Sequence, residues 1–314
     1  MKAIILTEAG SPDNLKLQQV DTPQPKEDEV LIKIKTISIN PVDVKTRKGG
    51  GLLEGLQKNP LVILGWDVAG DVVAVGASVT KFKESDKVFG MINFPGKGKT
   101  YAEYATAPEA HLAHIPDGIN YEEAAAATLA ALTAWQVLVH QAEIRAGQRV
   151  LIHAAAGGVG HFAVQIAKHF DAFVIGTASA ANSDFLKSLG VDQTVDYTRE
   201  DFSQTLKDID IVLDPIGGAT TIKSLRVLKP GGTLVSIVGG VKEEAQSIAG
   251  DSNFTAKNYL VHSSGRDMEQ LAILLKEGKL KPFISSRYTL EQMPEAHRKI
   301  ETGKTRGKIV VNVG

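Results

Sequence analysis

The sequence predicts an α/β protein that contains a doubly wound parallel sheet. From about residue 121, short apolar runs alternate with helical stretches, which is typical of β-α-β units. Most of these runs are almost continuously apolar, as expected of parallel strands that are covered on both faces. The predicted strands are "RVLIH", "AFVIG", "DQTVDY", "DIVLD", "TLVSIV" and "NYLVHS".

The beginning and the end of the chain have a different pattern. Residues 1 to about 120 read as short strands separated by turn clusters, and "EVLIKIKTISI" alternates as a half-buried strand does. The final segment, residues 279–314, has strand-like ends around a short helix and resembles this first part. We therefore predict one domain of residues 1–124 and 279–314, with the parallel-sheet domain of residues 125–278 inserted into it.

Composition narrows the function classes. The 314 residues carry a net charge of −1, so no basic surplus favours a nucleic-acid partner. The sequence contains no cysteine, which excludes disulfides and thiolate metal sites and is compatible with a cytoplasmic protein. The longest apolar stretch, residues 124–139, is shorter than the roughly 20 residues that span a bilayer. These features predict a cytoplasmic protein with neither a nucleic-acid nor a membrane partner.

The stretch "VLIHAAAGGVGHF" is almost a dinucleotide-binding loop. Aligned on G-x-G-x-x-G, it places Ala155, Gly157 and Gly160 at the three glycine positions. The loop follows a buried strand and opens a helix whose polar face is predicted to carry His161 and Gln165. A strand-to-helix turn that simply requires glycine is the alternative. The predicted cofactor-binding residues of the loop are Ala156, Gly157, Gly158, Val159 and Gly160.

The residues after the second strand favour NADP(H) over NAD(H). An NAD site usually has a carboxylate about 20 residues beyond the glycines, but here Thr177, Ser179 and Asn182 stand in that region. Hydroxyls and an amide can donate to a 2′-phosphate, which a carboxylate would repel. Tyr197, at the end of the third strand, is expected to reach either the adenine or that phosphate. These side chains alternatively shape only a polar turn. No lysine or arginine lies in residues 177–186 to neutralise the phosphate.

Several segments together resemble the quinone oxidoreductase branch of the medium-chain dehydrogenase/reductase superfamily. They are "ISINPVDVKTRKG" (37–49), "LGWDVAGDVVAVG" (64–76), residues 102–138, the "AAAGGVG" loop, "VLDPIGG" (212–218) and "TRGKIVVNV" (305–313). The resemblance implies a partly open β-barrel-like (GroES-like) catalytic domain with an inserted Rossmann domain, commonly as a homodimer. It also implies that "AAxGGVG" is a complete fingerprint for this branch.

Zinc alcohol dehydrogenases of the same superfamily hold their catalytic metal with cysteine and histidine. The corresponding stretches here read Asn40-Pro41 and Gly65-Trp66-Asp67, whereas such a site needs three protein ligands. His111 and His114 have the pattern of strand and turn residues. We therefore predict no metal, and an acceptor that delocalises negative charge by itself, namely a quinone or an α,β-unsaturated carbonyl compound (an enone) reduced by NADPH.

The resemblance also implies site residues. Asn40 is the first candidate for contacting substrate or cofactor, and Lys45 is expected to point at the nicotinamide or its ribose, a solvated lysine being the alternative. The resemblance further implies Thr133 on the phosphate side of the nicotinamide, Val238 and Gly239 against the nicotinamide ring, and Ser263 or Ser264 as cofactor contacts. Arg306 and Lys308 are expected nearby and would supply the missing positive charge, an exposed turn before the last strand being the alternative.

Two other functions remain open from the sequence. One is an enoyl-thioester reductase, although Tyr101 and Tyr104 lie in a different local pattern from the proton-donating tyrosine of those relatives. The other is a nucleotide-binding, crystallin-like protein without catalytic activity.

Overall fold

The computed structural model describes residues 1–57, 61–239, 241, 245, 248 and 253–314. The chain divides into two compact units: unit 1 is Met1–Leu132 with His262–Gly314, and unit 2 is Thr133–Val261. These divisions differ from the predicted boundaries at 124/125 and 278/279. The helix Gly265–Lys276 explains the second difference, because it packs on strands of unit 1.

Unit 1 is built on a mixed sheet around one long central strand, Glu29–Ile39. The strand order is β14-β15-β3-β4-β5-β7, and β6 also pairs with β3; the order does not close on itself, which agrees with the expected partly open barrel. The strands are β1 Lys2–Leu6, β2 Leu15–Gln19, β3 Glu29–Ile39, β4 Asp67–Val75, β5 Lys87–Met91, β6 Tyr104–Pro108, β7 Ala113–His114, β14 Ile284–Thr289 and β15 Lys308–Asn312.

The helices of unit 1 are short and lie mainly at strand ends. Helix α1 begins directly after β3, where Pro41 occupies the first helical position and suits the fixed backbone angle of proline. The described helices are α1 Pro41–Arg47, α2 Leu53–Leu56, α3 Tyr121–Ala126, α4 Leu129–Trp135 (which runs into unit 2), α9 Gly265–Lys276 and α10 Met293–Glu301.

Unit 2 contains the predicted parallel sheet, in the order β10-β9-β8-β11-β12-β13. The order reverses between β8 and β11, which makes the carboxyl end of β8 the topological switch point. The elements are β8 Arg149–Ile152, β9 Phe173–Ala178, β10 Gln193–Asp196, β11 Ile209–Asp214, β12 Leu228–Ser236, β13 Thr255–Asn258, α5 Gly160–His169, α6 Ser183–Ser188, α7 Phe202–Thr205 and α8 Ala219–Leu225.

All six predicted strands overlap the observed ones, but the sixth shares only Asn258 with β13 and is otherwise displaced. The prediction placed it at residues 258–263, whereas β13 is Thr255–Asn258. This strand pairs only with β12 at the edge of the sheet, and its residues are half-buried or exposed. An edge strand therefore lacks the continuous apolar run by which the others are recognised.

The predicted polar face of α5 is wrong at two positions, because all residues from Gly160 to Ala167 are buried. His161 Nδ1 lies 2.9 Å from Gly157 O, and Gln165 donates from Nε2 to His161 O at 2.9 Å. These local bonds satisfy polar atoms that burial would otherwise leave unpaired. Among the described helices, none is long and apolar enough to cross a membrane.

Gly160 is expected to be essential for packing α5 on β8. A Cβ atom there would lie 2.7 Å from Ala155 Cα and closer still to Ala154 O, both parts of the backbone. Gly160→Ala should therefore lower the melting temperature by several degrees, since the helix must shift. The measurement is thermal unfolding followed by circular dichroism.

Gly55→Ala is the matched control for this prediction. Gly55 lies in α2, and a Cβ atom there meets nothing within 4 Å. Alanine should leave stability unchanged or raise it slightly, because it favours helix over glycine. Equal melting temperatures for Gly160→Ala and wild type would contradict the packing argument.

Candidate active site

The glycine loop joins β8 to α5 at the switch point of the parallel sheet. Ala155, at the first glycine position of the fingerprint, is fully buried and donates from its backbone N to Thr177 O at 3.0 Å. Its methyl group faces Gly176 of β9, where an added Cβ would lie 3.0 Å from Ala155 Cβ. The glycine that the loop lacks is thus offset by a glycine on the neighbouring strand.

The remaining loop residues leave room for a ligand. Gly157, Gly158 and Val159 are half-buried, Ala156 is nearly buried, and a Cβ on Gly157 would contact only Ala154 O, at 3.2 Å. The loop leads into the first turn of α5, whose backbone N–H groups can bind an anion. This cradle fits the pyrophosphate of a dinucleotide.

His153 connects the beginning of this loop to two neighbouring elements. Its Nε2 lies 2.8 Å from Ser224 Oγ on α8, and its Nδ1 lies 3.1 Å from Thr177 Oγ1 on β9. Ser224 gives its only hydroxyl proton to Thr220 O, so it must accept from His153 Nε2. His153 Nδ1 is then the acceptor, and the Thr177 hydroxyl donates to it.

This assignment corrects the predicted role of Thr177. Its hydroxyl is buried, its proton goes to His153, and it also accepts from Ala154 N at 3.3 Å. It therefore cannot donate to a 2′-phosphate. Burial lowers the pKa of His153 to about 4, so the neutral ring that this network requires persists at neutral pH.

The other predicted residues for the 2′-phosphate lie near one another at the carboxyl ends of β9 and β10. Ser179 and Asn182 are half-buried, and Asn182 donates to Ser179 Oγ at 3.3 Å. Tyr197 has an exposed fraction of 63%, and its backbone N donates to Ala178 O at 3.3 Å. Their assignment to the phosphate remains a prediction.

Unit 1 contains a buried polar cluster around Asp67, at the start of β4. One carboxylate oxygen of Asp67 accepts from Ser38 Oγ at 2.5 Å and from Asn40 Nδ2 at 2.6 Å; the other accepts from Leu129 N at 2.9 Å. Lys308 Nζ donates to Asn40 Oδ1 at 2.5 Å and lies 3.8 Å from Asp67. All of these side chains are buried.

This cluster changes the roles predicted for Lys308 and Asn40. Lys308 is 2% exposed and its ammonium binds Asn40, Ile39 O and Asp67, so it is not available to neutralise the 2′-phosphate. Asn40 is 1% exposed and uses both ends of its amide within the cluster. The two stretches that would carry zinc ligands in related dehydrogenases are here joined by an ammonium and hydrogen bonds.

A second group of buried side chains consists of Asp43, on helix α1, together with Tyr101 and His297. Asp43 Oδ2 accepts from Asn40 N at 2.6 Å, and Tyr101 OH lies 3.0 Å from His297 Nε2. Burial, with the charge of Asp67 nearby, raises the pKa of Asp43 to about 8. Burial, and then the charge of Arg47, lowers the pKa of His297 to about 3. Asp43 and His297 are therefore both uncharged at neutral pH.

The remaining candidates are distributed over both units. Lys45, on α1, is exposed, and no described residue pairs with its ammonium. Ser263 and Ser264 accept from backbone N atoms, of Phe94 and Asp267 respectively, which gives them local structural roles. In unit 1, Arg306 lies over the ring of Phe283; in unit 2, Thr133 is buried, whereas Val238 and Gly239 are exposed. Their cofactor contacts remain predictions.

Sequence reasoning missed His153 and His297, and it noted Asp67 and Tyr101 only as departures from the patterns of related enzymes. A histidine between a buried strand and a glycine loop is a weak signal. Asp67 is easier to notice, because it is a charged residue in an otherwise apolar stretch of sequence. The described residues contain no group of three histidine, cysteine, aspartate or glutamate side chains that could hold a metal ion.

Comparisons with known proteins match the whole chain. A model of the alcohol dehydrogenase GroES-like domain matches residues 26–117, and a zinc-binding dehydrogenase model matches residues 189–311. The 2-methylene-furan-3-one reductase of Solanum lycopersicum is 36% identical over 99% of this chain and 79% of its own length. The chloroplastic NADPH-dependent alkenal/one oxidoreductase of Arabidopsis thaliana is 33% identical over the same shares.

The structure is also similar to solved ones. The quinone oxidoreductase from Coxiella burnetii superposes with a TM-score of 0.94 at 37% identity, covering 100% of this chain and 99% of that one.

Thr177→Val should test the hydroxyl network in unit 2. His153 Nδ1 would lose its donor, so the free energy of unfolding should fall by about 1–3 kcal/mol. The ratio of the dissociation constants for NADPH and NADH should stay unchanged, because the hydroxyl does not reach the phosphate. Ser179→Ala is the control and should show the opposite pattern. A changed cofactor ratio in Thr177→Val would contradict the assigned hydrogen bonds.

Asp43 should make stability dependent on pH. Its carboxyl has an ordinary pKa near 3.8 when unfolded and a pKa of about 8 when folded. Between these values the folded chain holds a proton that the unfolded chain releases, so this contribution to stability decreases as the pH rises. Asp43→Asn should flatten that decrease between about pH 5 and pH 8 in denaturant titrations.

The exposed Asp21→Asn is the control for the pH dependence, and its profile should follow that of the wild type. A profile for Asp43→Asn as steep as that of the wild type would show that the buried carboxyl does not hold the proton.

Proposed function

Because the chain belongs to the medium-chain dehydrogenase/reductase superfamily, in its zinc-independent quinone oxidoreductase branch, we propose that it reduces quinones or other α,β-unsaturated carbonyl compounds with NADPH. The observation that carries this proposal is the glycine loop at the switch point, where Gly160 packs against backbone and Gly157 leaves space for a pyrophosphate. The alkenal, furanone and quinone activities of the relatives indicate the acceptor class.

NADPH supplies a hydride when bound, and the acceptor also takes up one proton. The loop of unit 2, residues 156–160, is proposed to bind the pyrophosphate through backbone N–H groups other than that of Gly157, which donates to Ala154 O at 2.8 Å. Ser179, Asn182 and Tyr197 are proposed to donate to the 2′-phosphate. The His153 network fixes the loop against β9 and α8 before any ligand arrives, which reduces the ordering required on binding.

Lys45 is our candidate for polarising the acceptor oxygen. Its ammonium is exposed and unpaired among the described residues, whereas the amide of Asn40 is used within unit 1. A cationic donor stabilises the negative charge that develops on the oxygen as hydride arrives. Asn40 then acts indirectly, because it anchors the amino end of the helix that carries Lys45.

The acceptor class follows from what the sequence lacks. A zinc dehydrogenase stabilises a localised alkoxide with its metal, and this chain has no cysteine to build such a site. A quinone or an enone spreads the incoming charge over a conjugated system, so a single cationic donor suffices. A homodimer and a cytoplasmic location complete the proposal, and light scattering after size exclusion tests the former.

The proposal predicts oxidation of NADPH, faster than of NADH, in the presence of p-quinones or enones. The panel should include 2-enoyl thioesters, which an enoyl-thioester reductase would prefer, and it should be run with and without a chelator. No turnover with any acceptor would refute the enzymatic function, and loss of activity on chelation would refute the metal-free reaction.

Lys45→Gln should lower kcat/KM for the acceptor by about tenfold or more, because the charged donor is lost. Lys48→Gln is the matched control: Lys48 directly follows helix α1 and is also exposed, but it pairs with Glu301 at 2.7 Å. Its kcat/KM should stay within about twofold of wild type. Equal losses in both variants would remove Lys45 from the mechanism.

A further inference from the structure

A 2′-phosphate carries negative charge, yet the segment that follows β9 offers no cation. Residues 177–186 contain neither lysine nor arginine. The structure removes one cation that the sequence suggested, since Lys308 is bound within unit 1, and one neutral donor, since Thr177 donates to His153. Ser179 and Asn182 provide only neutral donors. Arg306 of unit 1 remains a predicted source of positive charge, and unit 2 contains a second candidate.

The pairing of β9 with β10 brings a cation, Arg199, close to the segment that follows β9. Ala178 and Asp196 are register partners at the carboxyl ends of the two strands, and Tyr197 N donates to Ala178 O. The chain then turns, because Arg199 N donates to Asp196 O at 3.0 Å. Arg199 therefore stands beside the segment that begins at Ser179, although it lies 20 residues away in sequence.

Asp196 lies beside Arg199, at ion-pair rather than hydrogen-bond distance. Its ionised carboxylate accepts from Thr198 N and Thr198 Oγ1, and these bonds, together with one from Ala180 N, lower its pKa. Arg199 Nε lies 3.6 Å from Asp196 Oδ2. The same carboxylate is thus approached by the backbone of Ala180 and by the guanidinium, which places that group next to the turn after Ser179.

The outer edge of Arg199 remains available for a ligand. Its side chain is 80% exposed, and no described residue bonds to its Nη atoms. Nearby cations are engaged differently: Lys223 pairs with Asp201 at 2.6 Å, and Lys187 lies 3.8 Å from Asp184. One carboxylate oxygen of Glu200 accepts from Asp196 N, and this bond fixes its position. A planar guanidinium with free Nη atoms matches the geometry of a phosphate.

We propose that Arg199 binds the 2′-phosphate of NADP(H) and sets the preference of this chain for NADP(H) over NAD(H). The inference rests on the proposed cofactor class and adds the residue that distinguishes NADP(H) from NAD(H). Tyr197, Ser179 and Asn182 are neutral donors around the same group, and Arg199 supplies the charge.

The test measures binding rather than turnover. Dissociation constants for NADPH, NADH and adenosine 2′,5′-bisphosphate are determined by calorimetry or fluorescence for wild type, Arg199→Ala and Arg199→Lys. Arg199→Ala should weaken NADPH and the bisphosphate by about tenfold or more and leave NADH within about twofold. Arg199→Lys should recover part of the affinity, since it keeps the charge without the bidentate geometry.

Arg145→Ala is the matched control. Arg145 is 76% exposed, belongs to unit 2 and lies 3.4 Å from Glu143, but it precedes β8 at the opposite, amino end of the strands. Its removal should change no dissociation constant.

The outcomes separate this inference from the proposed function. An unchanged ratio of NADPH to NADH affinity in Arg199→Ala, or equal weakening of both cofactors, overturns the role of Arg199 even if the enzyme reduces quinones. A wild-type chain that binds both cofactors equally also overturns it. Absence of turnover with every acceptor refutes the proposed function but leaves the binding result to stand by itself.

Discussion

The ion pair between Lys308 and Asp67 is the interaction on which unit 1 depends. A buried ammonium is costly unless it is paired and hydrogen-bonded, and here its bonds join the start of β15 to the end of β3. Asp67 adds the start of β4 and, through Leu129 N, the start of α4. Replacing one partner would leave the other charge buried and alone. Four chain segments are thus fixed by one neutral pair.

Helix α1 benefits directly from this arrangement. It has seven residues, too few for a helix to be stable by itself in water. Its amino end is fixed by Asn40, whose amide joins the ion pair, and by Asp43, which accepts from Asn40 N. Lys45 extends from this anchored helix. A flexible, charged side chain with a fixed base is suited to meeting a developing negative charge, because little backbone must be ordered during the reaction.

The sequence was sufficient to predict strands where burial leaves a regular pattern of apolar residues. It was insufficient to predict the role of a polar side chain whose hydrogen-bond partner is distant in sequence. Most of the parallel strands were predicted because two covered faces demand continuous apolar residues, and β13 was misplaced because its residues are only half-buried or exposed and escape that demand. Thr177 and Lys308 have plausible ligand-binding chemistry in sequence, but their partners, His153 and Asn40, are chosen by the tertiary structure. Arg199 could not be associated with Ser179 without the register of β9 and β10.

Both units keep their buried titratable groups uncharged or compensated, and this explains why Asp43 retains its proton. The cluster in unit 1 contains two carboxyl groups, Asp43 and Asp67, but one ammonium. Asp67 takes the short hydrogen bonds and the ammonium, so ionisation of Asp43 would place a second negative charge beside it in a fully buried site. The neutral rings of His153 and His297 follow the same rule. Charge that is free to act on a ligand therefore resides at the surface, in side chains such as Lys45 and Arg199, and the buried groups serve to hold the elements that carry them.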